Sequence, residues 1–199
     1  MACGVVLQAY FLYCLYFFTK LCYTNTNIVT YSPLSLFGVI VVKEKTCCFT
    51  GHREIPSKTY QRLFSKTEEM VESLIKEGYL FFGAGGALGF DTIAALVVLK
   101  LKEKYPDVRL ILVLPCLSQT RGWSSHDAGI YEDIKSRADK VVYTSEEYTR
   151  GCMHKRNRHL VDNSSACIAY LTENKGGTAY TVDYAQKHGL TVYNVAELI

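Results

Sequence analysis

Tyr79-Leu80-Phe81-Phe82-Gly83-Ala84-Gly85-Gly86-Ala87-Leu88-Gly89-Phe90-Asp91-Thr92-Ile93-Ala94-Ala95-Leu96 is the stretch whose reading decides the fold. It opens with a short aromatic and aliphatic run, passes through four glycines, and continues into an apolar segment with no further glycine or proline. A strand is expected over residues 79–82 and a helix over residues 89–104, because a short apolar run bounded by glycine suits a buried strand and a long one suits a helix. The helix is apolar on most of its circumference until Lys100, so it is expected to be buried on more than one side.

The same unit repeats outward along the chain. Strands are expected over residues 46–50, 109–114, 140–143, 166–171 and 191–193, and helices over 57–77, 125–138, 149–163 and 178–188. The first helix carries Leu63, Phe64, Met70, Val71, Leu74 and Ile75 at helical spacing, and Gly78 is placed to end it. Strands alternating with helices imply an α/β fold of the Rossmann-like, doubly wound kind: a mostly parallel sheet of about six strands with helices on both faces. Ligands of such sheets bind beyond the carboxyl ends of the strands.

Composition narrows the function classes. Of 199 residues, 49% are hydrophobic, which excludes disorder, and the formal charge of +3 is too small for a general polyanion binder. Any nucleic-acid role must therefore rest on a local patch. Of eight cysteines, Cys47, Cys48, Cys116 and Cys167 fall in or beside apolar strand-like runs, which favours buried free thiols in a reduced, cytoplasmic protein. Cys152 and His154 stand close together, but no Cys-x-x-Cys pair completes a ligand set, so no metal site is expected. No cofactor is expected either.

Residues 1–42 stand apart from this pattern and contain a single charged side chain, Lys20. Residues 3–18 are apolar and aromatic but short of the roughly 20 residues of a membrane span. They also lack the basic start and small-residue cleavage site of a secretory signal. Three readings compete: a membrane anchor, a poor signal peptide, or upstream sequence translated from a start placed too early. The last fits best, giving an extension over residues 1–42 and a ligand-binding domain over residues 43–199. A membrane is a partner only if the extension is native, with the domain then held on the cytoplasmic side.

Four motifs fall at the expected strand ends or helix starts. Thr50-Gly51-His52-Arg53 ends the first strand, where Gly51 permits a sharp turn and Arg53 is within reach of an anion. Gly83, Gly85, Gly86 and Gly89 form a candidate phosphate cradle, since glycine lets an anion approach the backbone at a helix start. It is not the dinucleotide fingerprint, because Leu88 stands where a third glycine belongs. Asp91 either caps the following helix or touches the ligand, with capping favoured. Gly176-Gly177-Thr178 opens the last helix, where threonine serves as a cap or a phosphate donor. The basic stretch Lys155-Arg156-Asn157-Arg158 supplies the guanidinium candidates, because arginine grips phosphate with two parallel hydrogen bonds. Helical spacing puts Arg150 with His154 on one face and Lys155 with Arg158 on another, so the cluster is not expected to share one ligand. Arg156 is the residue expected to reach phosphate, with Lys155 facing solvent. Gln119 and Trp123 are candidates to read or stack on a base, Trp123 being equally suited to packing.

These motifs, in this order, resemble the SLOG superfamily and specifically its YpsA-like branch, related to the DNA-processing protein A and to the LOG (lonely guy) phosphoribohydrolases. The resemblance runs over residues 46–195 and includes Ala185 and Gly189 beyond Gly177-Thr178. It implies a cytoplasmic domain that binds or senses a nucleotide or nucleotide-derived small molecule. Two alternatives stay open. A LOG-type N-glycosidase requires a glutamate after a Pro-Gly-Gly-x-Gly-Thr pattern, and this chain has neither that proline nor that glutamate, Asp183 being the nearest substitute. A single-stranded DNA binder would use Arg156, Arg158 and Trp123 for phosphate grip and stacking. Catalytic residues are not assigned, and the oligomeric state stays open, a homodimer included.

Overall fold

The computed structural model describes residues 42–199, and the reading of residues 1–41 lies outside them. Six strands form one sheet: β1 (Thr46–Gly51), β2 (Phe81–Ala84), β3 (Arg109–Leu114), β4 (Lys140–Tyr143), β5 (Ala166–Tyr170) and β6 (Thr191–Asn194). Every pairing is parallel, in the order β4-β3-β2-β1-β5-β6. The central β5 is buried at all of its positions, whereas the edge strands β4 and β6 are only partly buried. Covered strands are continuously apolar for that reason.

Among the described residues five helices cover the sheet: α1 (Tyr60–Lys76), α2 (Phe90–Lys102), α3 (Ser125–Arg137), α4 (Cys152–Asp162) and α5 (Gly176–Lys187). The chain steps from β1 outward to β4, then returns to place β5 beside β1. Right-handed crossovers therefore put α1, α2 and α3 on one face and α4 and α5 on the other. Side chains of β1 alternate accordingly. Cys47 and Phe49 enter the larger core with Leu63, Phe82, Ile93 and Leu112, while Cys48 enters the smaller one with Leu160, Cys167 and Ala185. The Phe49 ring lies 6.1 Å from Phe82 and 6.4 Å from Phe90, an aromatic column leading to the carboxyl edge of the sheet. Each such ring contributes about 1.5–3 kcal/mol by leaving water. As expected, α2 is buried on more than one side, with Ile93, Ala94, Val97 and Val98 all shielded.

Several boundaries differ from the sequence reading, three of them beside the motifs. The second strand starts at Phe81, because Gly78 turns left-handed (φ +98°) and the Tyr79 N–H still donates to Leu74 at 3.0 Å, closing α1. Gly83 thus belongs to β2, opposite Cys48. The helix expected from residue 149 starts at Cys152, behind a left-handed Gly151 (φ +90°). The last helix begins earlier than expected, so Gly176, Gly177 and Thr178 are its first turn. Cys47, Cys48, Cys116, Cys152 and Cys167 are free and buried. Burial pushes the Cys47 thiol well up, and hydrogen bonding from Cys48 with burial does the same to Cys167. No helix among the described residues is long and apolar enough to cross a membrane.

Candidate functional site

The strand order reverses between β1 and β5, and a crevice at such a point is where open parallel sheets hold ligands. Two loops leave this crevice tied together. The His52 N–H donates to Tyr170 at 3.3 Å, and the Thr172 N–H donates to His52 Nε2 at 3.1 Å. Because Nε2 accepts, the neutral ring carries its proton on Nδ1. The ring also stands edge-on to Tyr170, 6.0 Å between centroids.

The same segment closes the start of α2. The Phe90 N–H donates to the His52 carbonyl at 3.1 Å, and a Cβ on Gly89 (φ +79°) would lie 2.2 Å from the Arg53 carbonyl oxygen. Backbone from the β1 loop therefore occupies the positive end of α2, and glycine at 89 is what allows it to pass. The Arg53 side chain is exposed and has no carboxylate within 4.0 Å among the described residues.

The glycine run meets protein at every turn. A Cβ on Gly83 would lie 2.9 Å from Leu160, one on Gly85 1.0 Å from Arg156 Nη1, one on Gly86 2.7 Å from Leu114, and one on Gly51 2.4 Å from Phe90. The expected cradle is thus filled from within the fold. Gln119 is buried and donates to the carbonyls of Gly85 and Gly86, at 3.3 and 2.8 Å, rather than facing a base. Asp91 accepts from the Ala87 N–H at 3.2 Å and from Arg156 at 3.0 Å, so it braces the glycine turn instead of capping α2 through its own first turn. Arg156, placed as the residue to grip phosphate, is 6% exposed and joined to Asp91. Its inward orientation and the exposure of Lys155 agree with the expected helix faces; its partner is a carboxylate of the fold. Two buried atoms beside this turn, Arg156 Nε and Gln119 Oε1, have no partner among the described residues.

The start of α5 is built in the opposite way. A Cβ on Gly176 (φ +77°) or Gly177 would meet nothing within 4 Å, and Lys175 provides no side-chain cap. The first-turn N–H groups of a helix have no intrahelical acceptor, so this turn offers donors and the positive end of a dipole to the crevice. Two side chains fix it in place: Thr181 Oγ1 donates to the Gly177 carbonyl at 2.7 Å, and Asn157 Nδ2 from α4 donates to Thr181 Oγ1 at 2.7 Å. Asn157 therefore positions the turn. Thr178 lies within the turn, largely buried. The sequence reading did not find Thr181, although its place four residues after Gly177 is the spacing at which a hydroxyl reaches back to a carbonyl.

The remaining candidates lie outside the crevice. Trp123 is half-buried and packs edge-on against Tyr131 at 5.6 Å, which is the packing role. Arg158 is on the outer face of α4, where Nη1 donates to the Tyr180 hydroxyl at 3.2 Å. Arg150, His154, Lys155 and Arg158 line one hollow of about 530 Å³ together with Tyr180. This corrects their assignment to separate faces: the helix begins only after Gly151, so Arg150 belongs to the preceding loop and turns toward the same space.

The model described as the YspA SLOG family (YpsA) matches residues 49–198, most of the chain and every motif above. The chain belongs to the YpsA SLOG family. Its relatives include the uncharacterized SPbeta prophage-derived protein YoqJ of Bacillus subtilis (strain 168), 32% identical over 142 residues, which span 65% of this chain and 83% of YoqJ. The UPF0398 protein BH1768 of Halalkalibacterium halodurans is 32% identical over 123 residues, covering 60% of this chain and 65% of that protein. Among solved structures, DNA processing protein A from Streptococcus pneumoniae superposes with a TM-score of 0.57 at 17% identity, over 76% of this chain and 50% of that one. DNA processing protein A from Helicobacter pylori, a protein with a single-stranded DNA binding mode, gives 0.54 at 18%, over 78% of this chain and 66% of that one. At these identities the likeness is one of fold, and it places the six-stranded parallel sheet of this YpsA-family chain in a Rossmann-like class.

Proposed function

We propose that this YpsA-family domain binds a nucleotide or nucleotide-derived small molecule in the crevice between β1 and β5, with a phosphate seated on the first turn of α5. The observation that carries the reading is the contrast among the motif glycines. Gly51, Gly83, Gly85, Gly86 and Gly89 are filled by neighbouring atoms, whereas Gly176 and Gly177 front open space above an uncapped helix start. In this reading His52 and Arg53 form the opposite wall, Arg53 supplying an exposed guanidinium with no carboxylate within 4.0 Å among the described residues. Asp183, nearest to the position of a LOG-type glutamate, is exposed and paired with Lys187 at 2.7 Å, which favours binding over glycosidic hydrolysis. The single-stranded DNA reading loses two of its three residues in this crevice, since Arg156 and Trp123 face inward.

Thermal-shift titration with nucleoside mono- and diphosphates is the direct test, because a ligand of the folded state raises the unfolding temperature. Gly177→Asp adds bulk and negative charge where the phosphate belongs, so affinity should fall at least about tenfold. Unchanged affinity in a folded Gly177→Asp protein would remove this turn from the site.

A further inference from the structure

Residues 172–175 lead from β5 into the α5 turn, and the segment is fixed at both ends. At one end Asn194 holds Leu171 twice: its Oδ1 accepts from the Leu171 N–H at 3.0 Å, and its Nδ2 donates to the Leu171 carbonyl at 3.0 Å. At the other end Thr181 holds the Gly177 carbonyl. Between these points the Lys175 N–H donates to the Glu173 carbonyl and the Lys175 ammonium pairs with the Glu173 carboxylate, both within the segment. Among the described residues, the hydrogen bond that reaches residues 172–175 from outside is the one from the Thr172 N–H to His52 Nε2.

That bond depends on a single lone pair. His52 is half-buried, so protons from solvent reach its ring, and imidazole is the side chain whose ordinary charge change falls between about pH 5 and pH 8. Protonation puts a hydrogen on Nε2, which then meets the Thr172 N–H donor to donor. Among the described residues no other histidine ring accepts from a backbone N–H; His188 Nδ1 meets the Tyr184 carbonyl at 2.8 Å, a contact that a charged ring keeps. Few charged groups surround the His52 ring. Arg53 and Glu54 follow it in the β1 loop and are exposed, Tyr170 of β5 stands edge-on to it, and on the α2 side Asp91 is held by Arg156. Glu173 is within electrostatic reach: its carboxyl is held down first by hydrogen bonding from Lys175 and, to a lesser degree, by charge on His52.

We propose that His52 is a proton-operated latch on the segment that leads into the α5 turn. With a neutral ring, Thr172 is bonded to the β1 loop and the segment is held against it. With a charged ring, Thr172 is released and the imidazolium turns to Glu173, one residue further on, so the chain entering Gly176 and Gly177 shifts. Two arrangements of one loop, selected by a single proton, make a switch of the local electrostatic kind. Because Glu173 takes up the new charge, acid weakens phosphate binding at the turn rather than strengthening it. This consequence for a ligand rests on the crevice reading above, whereas the latch itself does not.

Nuclear magnetic resonance of the full chain tests the latch without any ligand. A nitrogen–nitrogen coupling across the Thr172–His52 hydrogen bond should be present at about pH 8 and absent at about pH 5, and it should vanish together with the change in the His52 ring resonance. In His52→Gln, whose side-chain oxygen accepts at any pH, the Thr172 amide resonance should stay in place over the same range. Affinity for a nucleoside diphosphate is then measured at both ends of the range, each protein being referred to its own value at the alkaline end. The parent chain should lose about fivefold more affinity in acid than His52→Gln does; protonation of the diphosphate is common to both proteins and cancels. The latch is overturned if the coupling is absent at the alkaline end, if Thr172 does not follow the His52 titration, or if the parent loses no more affinity in acid than His52→Gln, the result expected of a charged ring that grips the phosphate itself. If Thr172 follows His52 but no nucleotide binds either protein at any pH, the latch is supported and the crevice reading falls.

Discussion

On the α1–α2 side of the sheet, Lys100 reaches Glu68 at 2.7 Å, Lys104 reaches Glu72 at 2.6 Å, and the Tyr105 hydroxyl donates to the same Glu72 at 2.7 Å. On the α4–α5 side, Arg150, Lys155 and Arg158 have no carboxylate within 4.0 Å among the described residues; Lys155 donates to the Thr144 carbonyl and Arg158 to the Tyr180 hydroxyl. The two layers cover the same sheet by the same packing, yet the α1–α2 cations just named meet carboxylates, whereas on the other layer Lys187 pairs with Asp183 and the exposed cations of α4 stand without such a pair among the described residues. Internal pairs are explained by the fold, contributing solubility and a little stability. A like-charge cluster works slightly against the fold. Between the layers, at the carboxyl edge of the sheet, a third kind of charge holds them together: the buried Arg156–Asp91 pair, one residue from each layer.

Three experiments order these kinds of charge by size. The largest effect should come from Asp91→Ala, which leaves the Arg156 guanidinium buried without a counterion and releases the Ala87 N–H. Urea unfolding should show a loss of about 3–5 kcal/mol. A loss no greater than that of a surface pair would mean that Arg156 swings out to water, and would erase the distinction between the edge and the faces.

A smaller effect should distinguish the two layers directly. Lys100→Met breaks an exposed pair and should cost no more than about 1 kcal/mol. Arg158→Met removes a cation that has no carboxylate within 4.0 Å among the described residues, and the unfolding midpoint should stay or rise. If both substitutions destabilise equally, the charges of the two faces are equivalent and the comparison fails.

The smallest effect is expected in acid. Hydrogen bonds from Lys104 and then Tyr105 hold the Glu72 carboxyl down to about 2, below its ordinary value of 4.5. A carboxylate lowered in the folded state contributes stability that is present above the unfolded value and is lost as pH falls through the folded one. The contribution should therefore disappear between about pH 4.5 and pH 2. Comparing Glu72→Gln with the parent chain across that window checks it: the two should converge at the acid end, and a constant difference would refute the assignment.

Strand and helix order was legible from local pattern, because apolar periodicity and glycine punctuation are properties of neighbouring residues. Residues 109–114 and 140–143 coincide with β3 and β4, and the one displaced strand, β2, moved because a helix cap reached two residues further than its apolar run revealed. The candidate site was legible in its location and less so in its parts. Four motifs were expected at the carboxyl edge of the sheet; of the basic stretch Arg156 turns to the glycine run there, whereas Lys155 and Arg158 face outward. Which of them fronts open space was not written in them, since Gly85 and Gly177 look alike as glycines.

The sequence by itself determined the alternating α/β order, the doubly wound class and the family, all of which follow from residue type and spacing along the chain. Only the tertiary structure decided that five motif glycines are filled by Phe90, Leu160, Arg156, Leu114 and the Arg53 backbone, while Gly176 and Gly177 stay open. It also decided that Arg156 finds Asp91, 65 residues away in the chain, and that Arg150 turns back beside Arg158. Close approach and charge pairing depend on distance in space, and the distances between segments are fixed only when α4 folds back across the sheet.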